Sequence, residues 1–163
     1  MKRIGCTGHQ TLSPATRRSV TAAIAGELAD LAGAGTDGVV GVTCLAEGAD
    51  QLFAHTVLAS GGTLHAVRPC AGYEDSFQSS APLAAYASLL RLAGEVSSLD
   101  FPAPSEEAYL AAGHAVVHHS DVLLAVWDGR PAGGKGGTAD IVHYARARGL
   151  DVRVIWPAGA SRS

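Results

Sequence analysis

The chain contains two lysines, Lys2 and Lys135, and the second lies inside Gly133-Gly134-Lys135-Gly136-Gly137-Thr138. An apolar run, 122–127, precedes this segment, and a helical pattern over 139–148 follows it. The order strand, glycine loop with a cation and a hydroxyl, then helix can build a phosphate site from backbone. Glycines let N–H groups turn inward without a Cβ clash, and the helix N-terminus adds partial positive charge. A flexible surface turn is the plain alternative; position after a buried strand favours the anion site. In that site Gly134, Gly136, Gly137 and Thr138 would hold phosphate through N–H and hydroxyl groups, with Lys135 adding charge.

Other polar residues follow other apolar runs. Thr7-Gly8-His9-Gln10 comes after the first, Cys44 to Gln51 after the second, Arg68-Pro69 after the third, and Asp128-Gly129-Arg130 before the glycine loop. In open parallel sheets, ligands bind beyond the carboxyl ends of the strands. Gly8 either permits a tight turn or lets backbone approach a ligand, and His9 would line the base or phosphate side. Glu47 and Asp50, with Gly48 between them, either favour a helix start or face a ribose; Glu47 is also the candidate for carboxylate chemistry at a sugar carbon. Arg68 pairs with a neighbouring acid or with phosphate. Asp128 braces its loop or faces ligand hydroxyls.

The elements that must position these residues alternate in the manner of a parallel α/β sheet. Strands are expected at 3–7, 39–43, 63–68, 95–99, 121–127 and 152–156. Ser13 caps the first helix with Pro14 at its first position, and Gly33/Gly35 stop it, before a turn at Asp37-Gly38. Further helices are expected at 46–59, 77–93, 106–119 and 139–148. Runs such as Val-Leu-Leu-Ala-Val show no alternation, so helices should cover both faces. The expected fold is a Rossmann-like three-layer α/β/α sandwich with a mostly parallel sheet of five to six strands, one domain over 1–157 and a frayed tail at 158–163.

With 163 residues and 47% hydrophobic content the chain can bury a core. Its net charge of −3 and scattered arginines give little support to a nucleic-acid surface, so nucleic acid is not expected as a partner. Cys6, Cys44 and Cys70 show no CxxC spacing and read as free thiols in a reducing cytoplasm. No signal-like region or run of about 18 apolar residues is seen, so no membrane partner is expected. His114 and His118 share a helix face beside His119, but no third-ligand motif or HExxH accompanies them. No GxSxG occurs. Neither metal nor cofactor is expected.

Glu47-Gly-Ala-Asp-Gln51, Ser120-Asp-Val-Leu-Leu-Ala-Val-Trp-Asp-Gly129 and Gly134-Lys-Gly-Gly-Thr-Ala-Asp140 resemble the SLOG superfamily. It gathers DprA/Smf proteins, LOG phosphoribohydrolases and nucleotide-sensing domains. The resemblance spans residues 5–156 and implies a Rossmann-like sheet that binds nucleotides or ADP-ribose-like molecules, with phosphate at the glycine loop. By family analogy it suggests a homodimer. LOG enzymes carry PGGxGTxxE, whose glutamate assists N-glycosidic cleavage. Here Ile141 stands at that position, and Asp140 is one residue short, about 100° around a helix. The expected function is therefore a nucleotide-binding sensor or carrier, with a LOG-like N-glycosidase or transferase as the alternative and a DprA-like nucleic-acid accessory protein as the third class.

Overall fold

The computed structural model describes residues 1–33 and 38–163, so the stop at Gly35 and the turn at Asp37 lie outside the described residues. Six strands, β1 (Lys2–Gly8), β2 (Val39–Thr43), β3 (Thr63–Arg68), β4 (Glu95–Ser98), β5 (Val122–Val126) and β6 (Asp151–Ile155), form one sheet. Five helices connect them: α1 (Pro14–Ala32), α2 (Ala49–Ala59), α3 (Ser80–Leu92), α4 (Glu106–His118) and α5 (Thr138–Ala147). The sheet is ordered β4-β3-β2-β1-β5-β6 and every pairing is parallel. The order reverses between β1 and β5. Chain leaving β1 and chain leaving β5 therefore diverge there, opening a crevice at the carboxyl ends of the strands.

Successive strand residues enter different cores. Val122, Leu124 and Val126 pack with Ile4, Leu64 and the α1 and α2 residues Ile24 and Phe53, whereas Leu123 packs with Val42, Val116 and Ile141. Covering both faces removes the need for polar residues on β2 and β5, which are buried throughout. Val20, Ile24 and Leu28 of α1 repeat every four residues, which places one stripe against the sheet. Ser13 caps α1 through its Oγ, which accepts the Thr16 amide at 3.2 Å, and Pro14 occupies the first turn.

Two helix starts differ from the sequence reading. The second helix begins at Ala49 rather than 46 because Gly48, at φ +87°, breaks the path. The third begins at Ser80 rather than 77, after a 3-10 turn at Tyr73–Ser76, with Pro82 in its first turn, where no helical N–H bond is lost. Residues 158–163, expected to fray, run back onto α1: Ser161 N–H donates to Thr16 Oγ1 at 2.8 Å.

At the amino end of the sheet, the fully buried His65 ties three strands together. Its Nδ1 lies 2.6 Å from Arg3 Nη2 and its Nε2 2.7 Å from Ser97 Oγ. Burial holds its pKa below the ordinary histidine value, so the ring is neutral and can accept from the guanidinium.

At the other end, two glycines bring the loops after β1 and β2 into contact. A Cβ on Gly8 would lie 2.5 Å from Ala49 Cβ and 2.7 Å from Val126 Cβ. One on Gly48 would lie 2.6 Å from the His9 carbonyl oxygen and closer still to that of Gln10. Gly48→Ala should therefore combine left-handed backbone strain with a backbone clash, each costing about 1–3 kcal/mol. Urea unfolding should show a loss of at least about 2 kcal/mol; a loss below about 0.5 kcal/mol would mean that the two loops are free to separate.

Candidate functional site at the switch-point crevice

The crevice encloses about 640 Å³ between the loop after β1, the loop after β2 and the segment joining β5 to α5. Thr7, Gly8, His9, Gln10 and Thr11 form one side, and Gly136, Gly137 and Thr138 the other. Glu47 and Asp50 project from below, and Tyr73, Phe77, Tyr109 and Trp127 supply aromatic wall.

His9 joins the two sides. Its amide donates to Val126 O at 3.1 Å, its carbonyl accepts from Ala49 N at 3.1 Å, and its ring Nε2 accepts from Asp128 N at 3.0 Å. Trp156 meets the ring edge-on, 5.5 Å between centroids. Burial first, and the Arg162 guanidinium second, lower the His9 pKa, which keeps the ring in the accepting form. Asp128 does not line the cavity. Its Oδ1 accepts the Arg130 amide at 3.0 Å and lies 3.2 Å from His9 Nε2. Burial raises its pKa, but the Arg130 amide, His9 and Arg162 together outweigh that and leave it below the usual value.

The floor is polar and strained. Leu45, fully buried, adopts φ +58°, an uncommon conformation for a branched side chain that costs of order 1–3 kcal/mol. Its amide donates to Thr43 Oγ1 at 3.0 Å, and its carbonyl accepts from Gln51 Nε2 at 3.2 Å. The resulting bend sets the Ala46 amide 3.4 Å from Asp50 Oδ2. Burial pushes the Asp50 carboxyl up to about 7, against hydrogen bonds from Ala46, Thr43, Cys6 and Cys44 that favour the carboxylate. Such an acid can hold or release a proton near neutrality. Cys6 and Cys44 beside it are raised by burial and by Asp50, so both remain thiols rather than nucleophilic thiolates.

The glycine loop is arranged differently from its sequence image. Gly136, at φ +80°, lies so close to α4 that a Cβ would stand 2.7 Å from Leu110 N. Its amide donates to Asp140 Oδ2 at 3.2 Å. Lys135 is 63% exposed, does not line the cavity, and has its Nζ 3.9 Å from Glu107 Oε1. Gly134 also lies off the cavity, beneath the Glu106 carboxylate. Arg68 is turned away too: Nη2 donates to Glu74 Oε1 at 2.8 Å and Nε to Tyr86 Oη at 3.1 Å. Gly48 lies behind the cavity wall and lines a smaller adjoining depression of about 190 Å³ that shares Glu47. Ile141 is buried and forms apolar wall where the LOG pattern carries its glutamate.

Phe77, Tyr109 and Arg162 also line the crevice. Tyr109 lies within α4 and Phe77 just before α3, away from any strand end, and Arg162 lies in the segment 158–163, expected to fray. His114 stacks on Tyr144 with centroids 3.7 Å apart, away from the crevice. Among the described residues no three His, Cys, Asp or Glu converge as a metal-holding group. No described helix is long and apolar enough to cross a membrane.

No family model and no curated protein matches the chain. Solved structures do. DNA processing protein A (DprA) from Streptococcus pneumoniae matches 98% of this chain with a TM-score of 0.68 and 18% identity. This chain spans only 52% of that protein's length. DprA from Helicobacter pylori, described for its single-stranded DNA binding mode, matches 98% of this chain at TM-score 0.70 and 18% identity, over 68% of its own length. TM1055, a structural-genomics target, matches 93% at TM-score 0.59 and 18% identity, over 72% of its length. These likenesses show the fold: an open, all-parallel Rossmann-like α/β sheet shared with DprA and TM1055.

One expectation is corrected by this finding. A net charge of −3 speaks against a nucleic-acid partner, yet the H. pylori DprA, a protein of similar fold, is described for its single-stranded DNA binding. Net charge sums the whole surface and says nothing of one crevice, where Arg130 and Arg162 are gathered.

Asp50 makes the crevice floor testable by pH. Its unfolded value is near 3.8 and its folded value about 7, so the stability that it contributes is fully present below about pH 4 and is lost as pH rises through about 7. At about 1.4 kcal/mol per unit this amounts to about 4 kcal/mol. Asp50→Asn, which mimics the protonated acid, should therefore melt higher than the parent at pH 8 and near it at pH 4.5. Equal differences at both pH values would refute the raised acid.

Proposed function

We propose that the chain binds a nucleotide or nucleotide-derived molecule, a nucleoside phosphate or an ADP-ribose-like ligand, in the crevice between β1 and β5, as a sensor or carrier. The observation that carries this reading is the coincidence of a cavity of about 640 Å³ with the switch point of an open parallel sheet. That volume falls within the usual range for small-molecule sites, about 300–1,000 Å³. Thr138 and the first amides of α5 would meet phosphate, with Arg130 nearby, while Gly136 and Gly137, whose own amides are bonded to Asp140 and Gly134, would shape the loop around it. Tyr109, Phe77 and Trp127 offer faces for a base. Glu47 and Asp50 would face the sugar. The unpaired thiols Cys6, Cys44 and Cys70 support a reducing, cytoplasmic setting.

Hydrolysis of an N-glycosidic bond is the alternative within the same site. Ile141 weighs against the LOG arrangement, whereas Asp50 and Glu47 would have to supply its carboxylate chemistry. A second reading, that the crevice takes a nucleotide of a single-stranded DNA, is favoured by the fold likeness to the H. pylori protein. Aromatic walls serve stacked bases in such grooves.

Thermal melting against nucleoside mono- and diphosphates and ADP-ribose tests the first reading. A ligand at about 100 times its dissociation constant should raise Tm by roughly 5–10 °C. Thr138→Val and Arg130→Ala should remove most of that rise, while Lys135→Ala, whose side chain faces Glu107, should keep it. No rise with any nucleotide would sink the reading. Free base released from the ligand would convert sensor to glycosidase. Oligonucleotide binding that weakens steeply between about 50 and 200 mM salt would favour the DNA reading.

A further inference from the structure

Carboxylates surround the glycine loop. Glu106 stands over Gly134, Glu107 faces Lys135, and Asp140 accepts the Gly136 amide. One lysine against three acids leaves the glycine loop itself with little positive charge. An anionic ligand must find its cations elsewhere. Among the described residues that line the cavity no lysine occurs, and the arginines are Arg130 and Arg162.

Arg162 is brought there by a segment that is held, not loose. After β6 the chain turns at Gly159, φ +79°, with Ala160 N donating to Pro157 O at 3.0 Å. Ser161 then bonds α1 twice: its amide donates to Thr16 Oγ1 at 2.8 Å and its carbonyl accepts from Ser13 N at 3.1 Å. These two bonds fix the main chain beside the loop after β1, and the next residue reaches the crevice. The Arg162 guanidinium lies 3.7 Å from Asp128 Oδ2, longer than a hydrogen bond, and its side chain is 53% exposed. Asp128 Oδ1 already accepts the Arg130 amide. Arg162 thus retains most of its five N–H donors in a planar fork suited to phosphate oxygens.

We propose that Arg162 is an anion-binding residue of this crevice, carried by a strap, residues 157–162, pinned to the start of α1, and that it receives the phosphate or pyrophosphate group of the ligand. The identity of that ligand as a nucleotide rests on the function proposed above; the anion contact does not. On binding, the guanidinium exchanges its long contact with Asp128 for paired hydrogen bonds to the anion. The glycine loop then supplies shape, and the strap supplies charge alongside Arg130.

Calorimetric titration with ADP and with pyrophosphate tests this. Arg162→Ala should bind both at least tenfold more weakly than the parent, and Arg162→Lys should recover part of the loss. Arg18→Ala, an exposed arginine elsewhere on α1, should bind as the parent does, which separates a local contact from a general field effect. Ser161→Pro keeps Arg162 but removes the N–H that pins the strap, and it too should weaken binding. The unliganded Arg162→Ala protein should melt with the parent, since an exposed long ion pair contributes little. Unchanged affinity of Arg162→Ala for both anions overturns the proposal while leaving nucleotide binding standing. Arg162-dependent binding of pyrophosphate with no binding of ADP supports the proposal and counts against the nucleotide reading. Failure of the parent to bind either anion overturns it.

Discussion

His9 is the constraint on which the crevice depends. A residue just past the end of β1 uses its amide on β5, its carbonyl on α2 and its ring on the loop after β5. Each bond satisfies a backbone group that burial would otherwise leave without a partner, at a cost of about 1–3 kcal/mol apiece. Because one residue serves three elements, the walls of the crevice cannot shift independently. Gly8 and Gly48 are the steric condition for this arrangement, since a side chain at either would separate the loops that His9 joins. The neutral imidazole is its electrostatic condition: only an unprotonated Nε2 can accept the Asp128 amide.

That stitching explains why strain and a buried acid gather on the floor. Leu45 is held at a positive φ because Thr43 and Gln51 bond its amide and carbonyl, and because α2 must begin where His9 accepts Ala49. The same bend encloses Asp50 among Cys6, Cys44 and Thr43. Desolvation outweighs the hydrogen bonds there, so the carboxyl titrates near neutrality rather than near 4. Polar chemistry in this fold is thus concentrated at the one place where chain order reverses. The amino edge of the sheet holds instead the His65 brace, a neutral ring between Arg3 and Ser97.

Much of the architecture was legible from periodicity. Unalternating runs at β2 and β5 imply burial on both faces, and both strands are covered by helices on each side. Ser13-Pro14 marks the start of α1 to the residue. The starts of α2 and α3 were less legible, because Gly48 and the 3-10 turn at Tyr73–Ser76 respond to contacts with distant loops rather than to local propensity. Within the site, the strand-end rule led to Gly8, His9, Glu47, Asp50 and the Gly136–Thr138 stretch, all of which line the crevice. It led equally to Gly48, Arg68, Asp128, Gly134 and Lys135, which do not. Arg68 is held by Glu74 and Tyr86, Asp128 by the Arg130 amide and by its own amide's bond to His9, and Gly134 and Lys135 lie beside the acids at the start of α4.

By itself the sequence determined the alternation of buried strands and amphipathic helices, and with it the edge of the sheet where polar residues collect. Both are local matters: hydrophobic period, caps and glycines act over a few residues. Tertiary structure alone decided which of those polar residues face the crevice, and on which side its charge lies. Those outcomes depend on pairings between residues far apart in the chain, such as Asp128 with His9 and Ser161 with Thr16. The glycine-lysine loop shows the difference. Its backbone borders the cavity as its spacing implies, but its cation faces Glu107, because the N-terminus of α4 places carboxylates beside it.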